Sequence, residues 1–121
     1  CGFMECKQAY WDLLASCDVV LSTADHDFQG LSILEAMSYG CLPLVPDDLA
    51  YPEYVPHGMR YHRADSHAQT AVFMGQCLQK QLQQRQAVRT LDNVARFYWG
   101  HLAERYQYYF EKLLSTSILN K

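Results

Sequence analysis

Two short apolar segments with a helical segment between them constrain the fold of this chain more than any other feature. Residues 19–21 (Val-Val-Leu) and 42–45 (Leu-Pro-Leu-Val) have the composition of short buried strands. Between them, apolar side chains recur at three-residue spacing, at Leu31, Leu34 and Met37. Gly40 then stands where helices commonly end in a left-handed residue. This order predicts a βαβ unit with parallel strands and a right-handed crossover. The loop at 23–30 therefore lies at the carboxyl edge of a parallel sheet.

The rest of the chain fits an α/β fold, a Rossmann-like parallel sheet with flanking helices. The region from His57 to His67 has no clear period and is interpreted as a loop, within which residues 60–62 are compatible with a brief strand. Pro43 suits an edge or the start of a strand better than its centre. The Gln-rich stretch at 79–86 is polar enough to be a solvated helix face. Helices are predicted at residues 10–16, 71–82 and 101–114, and the last of them closes the chain.

Length and composition limit the chain to one domain or a part of one. Its 121 residues, half of them apolar, can bury one core, so residues 1–121 are expected to form a single unit. No apolar run approaches the ~20 residues that span a bilayer, and no signal peptide is recognisable. The five cysteines include no Cys-x-x-Cys pair, which predicts neither a disulfide framework nor a zinc site and favours a reducing cytoplasm.

Two acidic residues mark the predicted carboxyl edge. Asp27 and Glu35 have seven residues between them and flank the start of the predicted helix. Open α/β sheets bind ligands at this edge, where a helix N-terminus offers backbone N–H groups and a positive dipole end to a phosphate. The pattern predicts a nucleotide-sugar site in which both carboxylates bind sugar hydroxyls. Eight acidic residues and no Lys or Arg fall between Gln8 and Met59, so no cation is expected beside this site. The net negative charge of this stretch would repel a bare polyanion.

Purely structural interpretations compete with this one. Ser32 and Glu35 match a capping box, in which Glu35 would only satisfy a backbone N–H at the helix start. Asp25, His26 and Asp27 include metal-ligand types, but three adjacent residues do not easily converge on one ion, and a polar turn is favoured. Surface positions are favoured over metal binding for three further histidines, His57, His62 and His67. Packing is favoured over nucleic-acid stacking for three aromatic residues of the closing helix, Tyr106, Tyr109 and Phe110.

The loop and helix resemble the signature of retaining glycosyltransferases of the GT-B fold, in which Glu, seven residues, Glu, Ala-Met and a glycine follow one another. The matching residues are Asp27, Gly30, Glu35, Ala36, Met37 and Gly40. The chain is similar in more detail to the tRNA-queuosine mannosyltransferase family, where a Ser-Thr-Ala loop precedes the acids and Tyr-Pro-Glu follows the next strand. The segments that carry this likeness are 22–24, 41–44 and 49–53, with a weaker one around Trp99 and Tyr106.

The resemblance implies a role for each matching residue. Glu35 would accept hydrogen bonds from both ribose hydroxyls of the donor, and Asp27, the catalytic residue, would bind hydroxyls of the transferred sugar. Backbone amides would complete the donor site at Phe28, Gln29, Gly30, Leu31 and Ser32. Two departures alter the reach to the sugar, since Asp27 stands where the wider family has Glu and Phe28 replaces a glycine. Neither a metal nor another cofactor is implied.

The reaction implied is retaining transfer of a hexose, mannose from GDP-mannose, to a tRNA-queuosine-type hydroxyl. In the family, the cations that face the diphosphate lie upstream of the position of Cys1, so the chain is expected to be a partial C-terminal donor-binding domain. Its partners would be the nucleotide sugar, the remainder of the same polypeptide and tRNA bound through that remainder, with no membrane. Alone, it is expected to bind the donor weakly and to transfer no sugar. The alternative is a non-catalytic domain that binds a nucleotide or a partner protein.

Overall fold

The computed structural model describes residues 4–83 and 94–118. The strands are β1 (Val19–Leu21), β2 (Leu42–Pro46) and β3 (Arg60–Tyr61), and the helices are α1 (Lys7–Ala15), α2 (Leu31–Ser38), α3 (His67–Gln83) and α4 (Trp99–Ile118). Two short 3-10 helices, Tyr51–Glu53 and His57–Met59, lie between β2 and β3. The strands form a three-stranded parallel sheet in the order β1-β2-β3, flanked by helices. The predicted α/β class is confirmed.

The predicted βαβ unit is also confirmed, and α2 ends as expected. β1 and β2 pair in parallel with Val19 opposite Leu42. Gly40 has a φ of +94°, and the amide of Cys41 reaches back to the carbonyl of Ala36 at 3.1 Å. This 6→1 hydrogen bond is the Schellman termination, which needs a left-handed residue and therefore favours glycine.

The position of Pro43 differs from the prediction, because β2 is the central strand of the described sheet. The amide of Leu42 and the carbonyl of Leu44 both bond toward β1, so the nitrogen of Pro43 faces the other side. β3 pairs only from Val45 onward, and no ladder donor is needed at Pro43. The side-chain amide of Gln81, on α3, donates instead to the Pro43 carbonyl at 3.1 Å.

Gln81 corrects the prediction that the Gln-rich stretch is solvated along its length. Gln81 is only 7% exposed, whereas the neighbouring residues of the helix are exposed, namely Gln79, Lys80, Leu82 and Gln83. Positions 84–86 of the Gln-rich stretch lie outside the described residues. One face of α3 therefore packs on the sheet, and a glutamine reaches the strand carbonyl that β3 leaves open.

The core lies between α2 and the sheet. The buried face of α2 consists of Ile33, Ala36 and Met37, so the predicted stripe through Leu31 is wrong: Leu31 is 66% exposed. Buried residues from β2 and the segment after it pack against this face, namely Val45, Tyr51, Tyr54, Val55 and Met59. Burying that face holds the start of α2 against the two tyrosines, which matters for the loop before the helix.

The closing helix forms where it was predicted, but its aromatic side chains are not buried. Tyr106 lies 5.8 Å from the Trp99 ring and 6.3 Å from the Phe110 ring, measured between centroids. Tyr106, Tyr109 and Phe110 are nevertheless each half or more exposed in the described part of the chain. The ring contacts that the structure gives these three residues are with other aromatic residues of the same helix, including Tyr108 beside Tyr109.

Candidate functional site

Asp27 stabilises the loop between β1 and α2 by accepting hydrogen bonds. Its Oδ1 accepts hydrogen bonds from the amides of Gly30 at 2.6 Å and Gln29 at 3.2 Å, and its Oδ2 accepts one from the Tyr51 hydroxyl at 2.9 Å. The Gly30 amide is the main cause that lowers the pKa of Asp27; burial opposes this, and the bonds from Tyr51 and Gln29 lower the pKa further. The carboxylate is therefore held ionised, with a fixed loop around it.

Two of the backbone amides that were predicted to bind the donor already have a hydrogen-bond partner within the loop. The N–H groups of Gln29 and Gly30, both assigned to the donor, already bond to the Asp27 carboxylate. The side chains of Phe28, Gln29, Leu31 and Ser32 are exposed, and Phe28 is 99% exposed. The loop thus presents side chains at the carboxyl edge, while part of its backbone is occupied by its own carboxylate.

The capping-box interpretation of Ser32 and Glu35 is wrong. α2 begins at Leu31, and its N-cap is Gly30, at φ +64° and ψ +38°, without a side-chain hydrogen bond. Glu35 bonds to α1 instead: its Oε2 accepts from the Tyr10 hydroxyl and its Oε1 from the Trp11 indole, each at 3.3 Å. Each oxygen has a second lone pair available, so the carboxylate retains the capacity to accept from a ligand diol.

Two buried tyrosines form a shelf beneath Gly30, which we call the tyrosine shelf (Tyr51 and Tyr54). The Tyr54 hydroxyl donates to the Gly30 carbonyl at 3.3 Å. A Cβ atom at Gly30 would lie 1.9 Å from the Tyr54 hydroxyl oxygen and 2.9 Å from Tyr51 Cε1. Both the left-handed backbone and this close approach therefore require glycine at position 30.

The tyrosine shelf is itself hydrogen-bonded to the residues after β1. The Tyr51 and Ser22 hydroxyls lie 2.7 Å apart, and the Tyr61 hydroxyl donates to the Ser22 carbonyl at 2.8 Å. Burial raises the pKa of Tyr51 and of Tyr54, which keeps both phenols protonated. The Tyr-Pro-Glu segment noted in the sequence is thus the element that supports the Asp27 loop, a role that spacing alone did not reveal.

Arg63 corrects the expectation that no cation lies beside the site. It follows β3, and because the strands are parallel, it reaches the same edge as the loop after β1. Its Nη1 donates to Asp25 at 2.8 Å, its Nη2 bonds to the carbonyl of Ala24, and its Nε forms an ion pair with Asp48 at 2.8 Å. The guanidinium therefore joins three loops, although two carboxylates already neutralise it.

The two predicted acids have different hydrogen-bond partners in the structure. In the described residues, Asp27 and Glu35 share no hydrogen-bond partner: the first bonds to its own loop and Tyr51, the second to α1. A separate open cleft of about 440 Å³ lies beside Arg63, lined also by His62, Ala64, Asp65, Gln69, Val72 and Phe73. Arg63 lines this cleft and also bonds to Asp25 in the loop of the candidate site.

In the described ranges 4–83 and 94–118, no three His, Cys, Asp or Glu side chains are grouped so that they could ligate a metal ion. Within the same ranges, the helices are too short or too polar to cross a bilayer. The expectation that the chain works without a metal stays a prediction.

A comparison with known proteins supports the resemblance noted in the sequence. A Drosophila melanogaster protein, tRNA-queuosine alpha-mannosyltransferase, is 40% identical over 65 residues, which are 54% of this chain and 17% of that protein. The aligned segment is therefore a small part of the relative. No protein-family profile matches the chain, and no solved structure does.

Proposed function

We propose that this chain is the donor-binding part of a retaining hexosyltransferase, which transfers mannose from GDP-mannose to a tRNA-queuosine-type hydroxyl. The 40% identity to the fly protein, whose name states a related activity, carries the proposal. We further propose that residues 1–121 belong to the C-terminal domain of a cytoplasmic GT-B enzyme. The remainder of that polypeptide would supply the acceptor site, the contacts to tRNA and the cations for the diphosphate.

The arrangement of the carboxyl edge supports a donor site. The ionised Asp27 and the start of α2 lie at the end of β1, where ligands of parallel sheets bind. The exposed side chains around this point are those of Phe28, Gln29, Leu31 and Ser32. A sugar phosphate can approach without displacing core residues, and the helix end attracts its negative charge by ~0.3–2 kcal/mol.

The two carboxylates would bind different parts of the donor. Glu35 receives one hydrogen bond on each oxygen from α1, which orients the carboxylate and leaves one lone pair on each oxygen for the ribose diol. Asp27 has two amides on Oδ1 and one phenol on Oδ2, so its free acceptor capacity lies on Oδ2. That capacity would hold one hydroxyl of the transferred mannose.

The reaction proposed is a substitution at the anomeric carbon of mannose. The bond from that carbon to the β-phosphate oxygen of GDP breaks, and a bond to the acceptor hydroxyl oxygen forms on the same face. The proton of the acceptor hydroxyl passes to the leaving phosphate, which departs as GDP. Neither a metal nor another cofactor takes part, and Asp27 and Glu35 act by holding the donor.

The test uses the full-length polypeptide with GDP, UDP, GDP-mannose and UDP-glucose in a thermal-shift panel, followed by transfer to queuosine-containing tRNA. A ligand at 100 times its dissociation constant stabilises the folded state by about 2.7 kcal/mol, which such a panel detects. We expect stabilisation by GDP and GDP-mannose, turnover only with GDP-mannose, and loss of turnover in Asp27→Ala. Asp12→Asn, at an exposed acid of α1, is the matched control and should keep turnover.

A non-catalytic nucleotide-binding domain is the second candidate, and one observation favours it. Every oxygen of Asp27 already has a partner within the chain, as expected of a purely structural carboxylate. Stabilisation by GDP-mannose without turnover on any queuosine-containing tRNA would select this second function. Absence of any nucleotide effect would reject both.

A further inference from the structure

We infer that Tyr51 is a positioning residue for Asp27, which fixes the carboxylate so that Oδ2 presents its remaining lone pair to one hydroxyl of the transferred sugar. The inference deepens the proposed function and rests on it for the identity of the sugar. The contact itself is independent of that function. It extends the role of the Tyr-Pro-Glu segment from supporting the Asp27 loop to orienting the Asp27 carboxylate toward the sugar.

The hydrogen bonds around Tyr51 have a defined direction. An ionised carboxylate only accepts, so the single proton of the Tyr51 phenol points at Asp27 Oδ2, 2.9 Å away. The Ser22 hydroxyl, 2.7 Å from the Tyr51 oxygen, must then donate to it. Ser22 in turn accepts from the amide of Ala24 at 3.3 Å. A chain of donors therefore runs from a backbone amide to Asp27, and each bond polarises the next.

Burial makes this chain rigid. Tyr51 is 0% exposed and Ser22 is 8% exposed, so water does not compete for either hydroxyl. The Tyr51 ring is also packed edge-on against Tyr54, with centroids 6.2 Å apart. The phenol oxygen consequently stands at one fixed point beneath the loop, and the Asp27 side chain is held between that point and the amides of Gln29 and Gly30.

The pKa of Asp27 reports on its hydrogen bond with Tyr51, because this bond is one of the causes that lower the pKa. The phenols of Tyr51 and Tyr54 both interact with Asp27, and burial raises the pKa of both, so neither becomes charged where Asp27 titrates. Asp25, two residues earlier, is paired with Arg63. Removing the Tyr51 hydroxyl therefore removes one hydrogen-bond donor without changing any charge.

The experiment compares Tyr51→Phe with Tyr61→Phe in the full-length polypeptide. Both substitutions delete one buried phenol hydroxyl from the same region, but Tyr61 bonds to the Ser22 carbonyl and not to Asp27. The pKa of Asp27 is followed by carbon-13 NMR of its carboxyl group, and kcat and KM are measured with GDP-mannose. Tyr51→Phe should raise the pKa of Asp27 and lower kcat by about tenfold, while GDP affinity stays within about twofold.

Tyr61→Phe should change neither the titration nor kcat. Ser22→Ala, which removes the donor to the phenol but keeps its bond to Asp27, should shift both quantities in the same direction by a smaller amount. If Tyr51→Phe and Tyr61→Phe have equal effects, or if the Asp27 titration is unmoved in Tyr51→Phe, Tyr51 only packs and the inference is overturned. Absence of transfer by the unmodified protein would refute the proposed function, and the NMR titration would still decide whether Tyr51 fixes Asp27.

Discussion

Replacing Gly30 by alanine tests the idea that the tyrosine shelf sets the shape of the candidate site. Two costs add at this position. An alanine in the left-handed region at φ +64° costs about 1–2 kcal/mol. Its Cβ would also lie 1.9 Å from the Tyr54 hydroxyl oxygen and 2.9 Å from Tyr51 Cε1, and forcing extra atoms into a packed site costs typically ~1–3 kcal/mol. We expect the free energy of unfolding to fall by about 2–5 kcal/mol, measured by urea denaturation.

Two controls separate the backbone cost from the contact with the shelf. Gly40→Ala also places alanine at a positive φ, of +94°, but nothing lies within 4 Å of its Cβ, so only backbone strain is expected. Tyr54→Phe removes the atom that the new Cβ of Gly30→Ala would meet first, so the double variant should lose at least ~1 kcal/mol less than the two single losses together. If the losses of Gly30→Ala and Tyr54→Phe simply add, the shelf does not constrain Gly30 and the reasoning fails.

Three further predictions address single contacts. Glu35→Gln should weaken GDP binding by about 1–3 kcal/mol in calorimetry, because one acceptor oxygen replaces two; unchanged affinity would mean that Glu35 serves only α1. Gln81→Leu should lower the free energy of unfolding by about 1–3 kcal/mol in urea denaturation, because it leaves the Pro43 carbonyl without its donor. The control Gln79→Leu, on the exposed face of α3, should change this free energy by no more than ~0.5 kcal/mol. Equal losses of stability in the two variants would contradict the prediction. Because folding lowers the pKa of Asp27, its ionised carboxylate stabilises the fold at pH values above its ordinary pKa, and this stabilisation is lost as pH falls through the lowered pKa. The stability of Asp27→Asn should therefore not show this decrease during acid denaturation. Identical acid-denaturation profiles for the two proteins would refute the prediction.

The βαβ unit could be predicted because its signals are local. The apolar composition of each strand lies within that strand, the glycine at position 40 stands just past the helix that it ends, and the structure follows both signals. The buried face of α2 was misjudged for the same reason. Spacing by three placed Leu31 on the stripe, whereas the register that meets the sheet runs through Ile33 and Met37.

What the sequence did not reveal depends on residues far apart along the chain. Arg63 meets Asp25 across 38 positions, so the absence of Lys and Arg between Gln8 and Met59 said nothing about the folded site. Gln81 is buried because β3 is too short to cover Pro43, a fact of strand pairing that polarity alone does not reveal. The partners of Glu35 likewise come from α1, on the far side of β1 in the chain.

The three contacts of Arg63 limit how far the two loops that it joins can change in length. Its guanidinium meets two carboxylates and a carbonyl through separate nitrogens, a geometry that the compact ammonium of lysine does not reproduce. An insertion that displaced Asp25 would remove one of the contacts that orient the guanidinium toward Asp48, and a displacement of Asp48 would do the same for Asp25. A change in the length of one loop is therefore expected to weaken the contact of the other, unless the arginine changes with it.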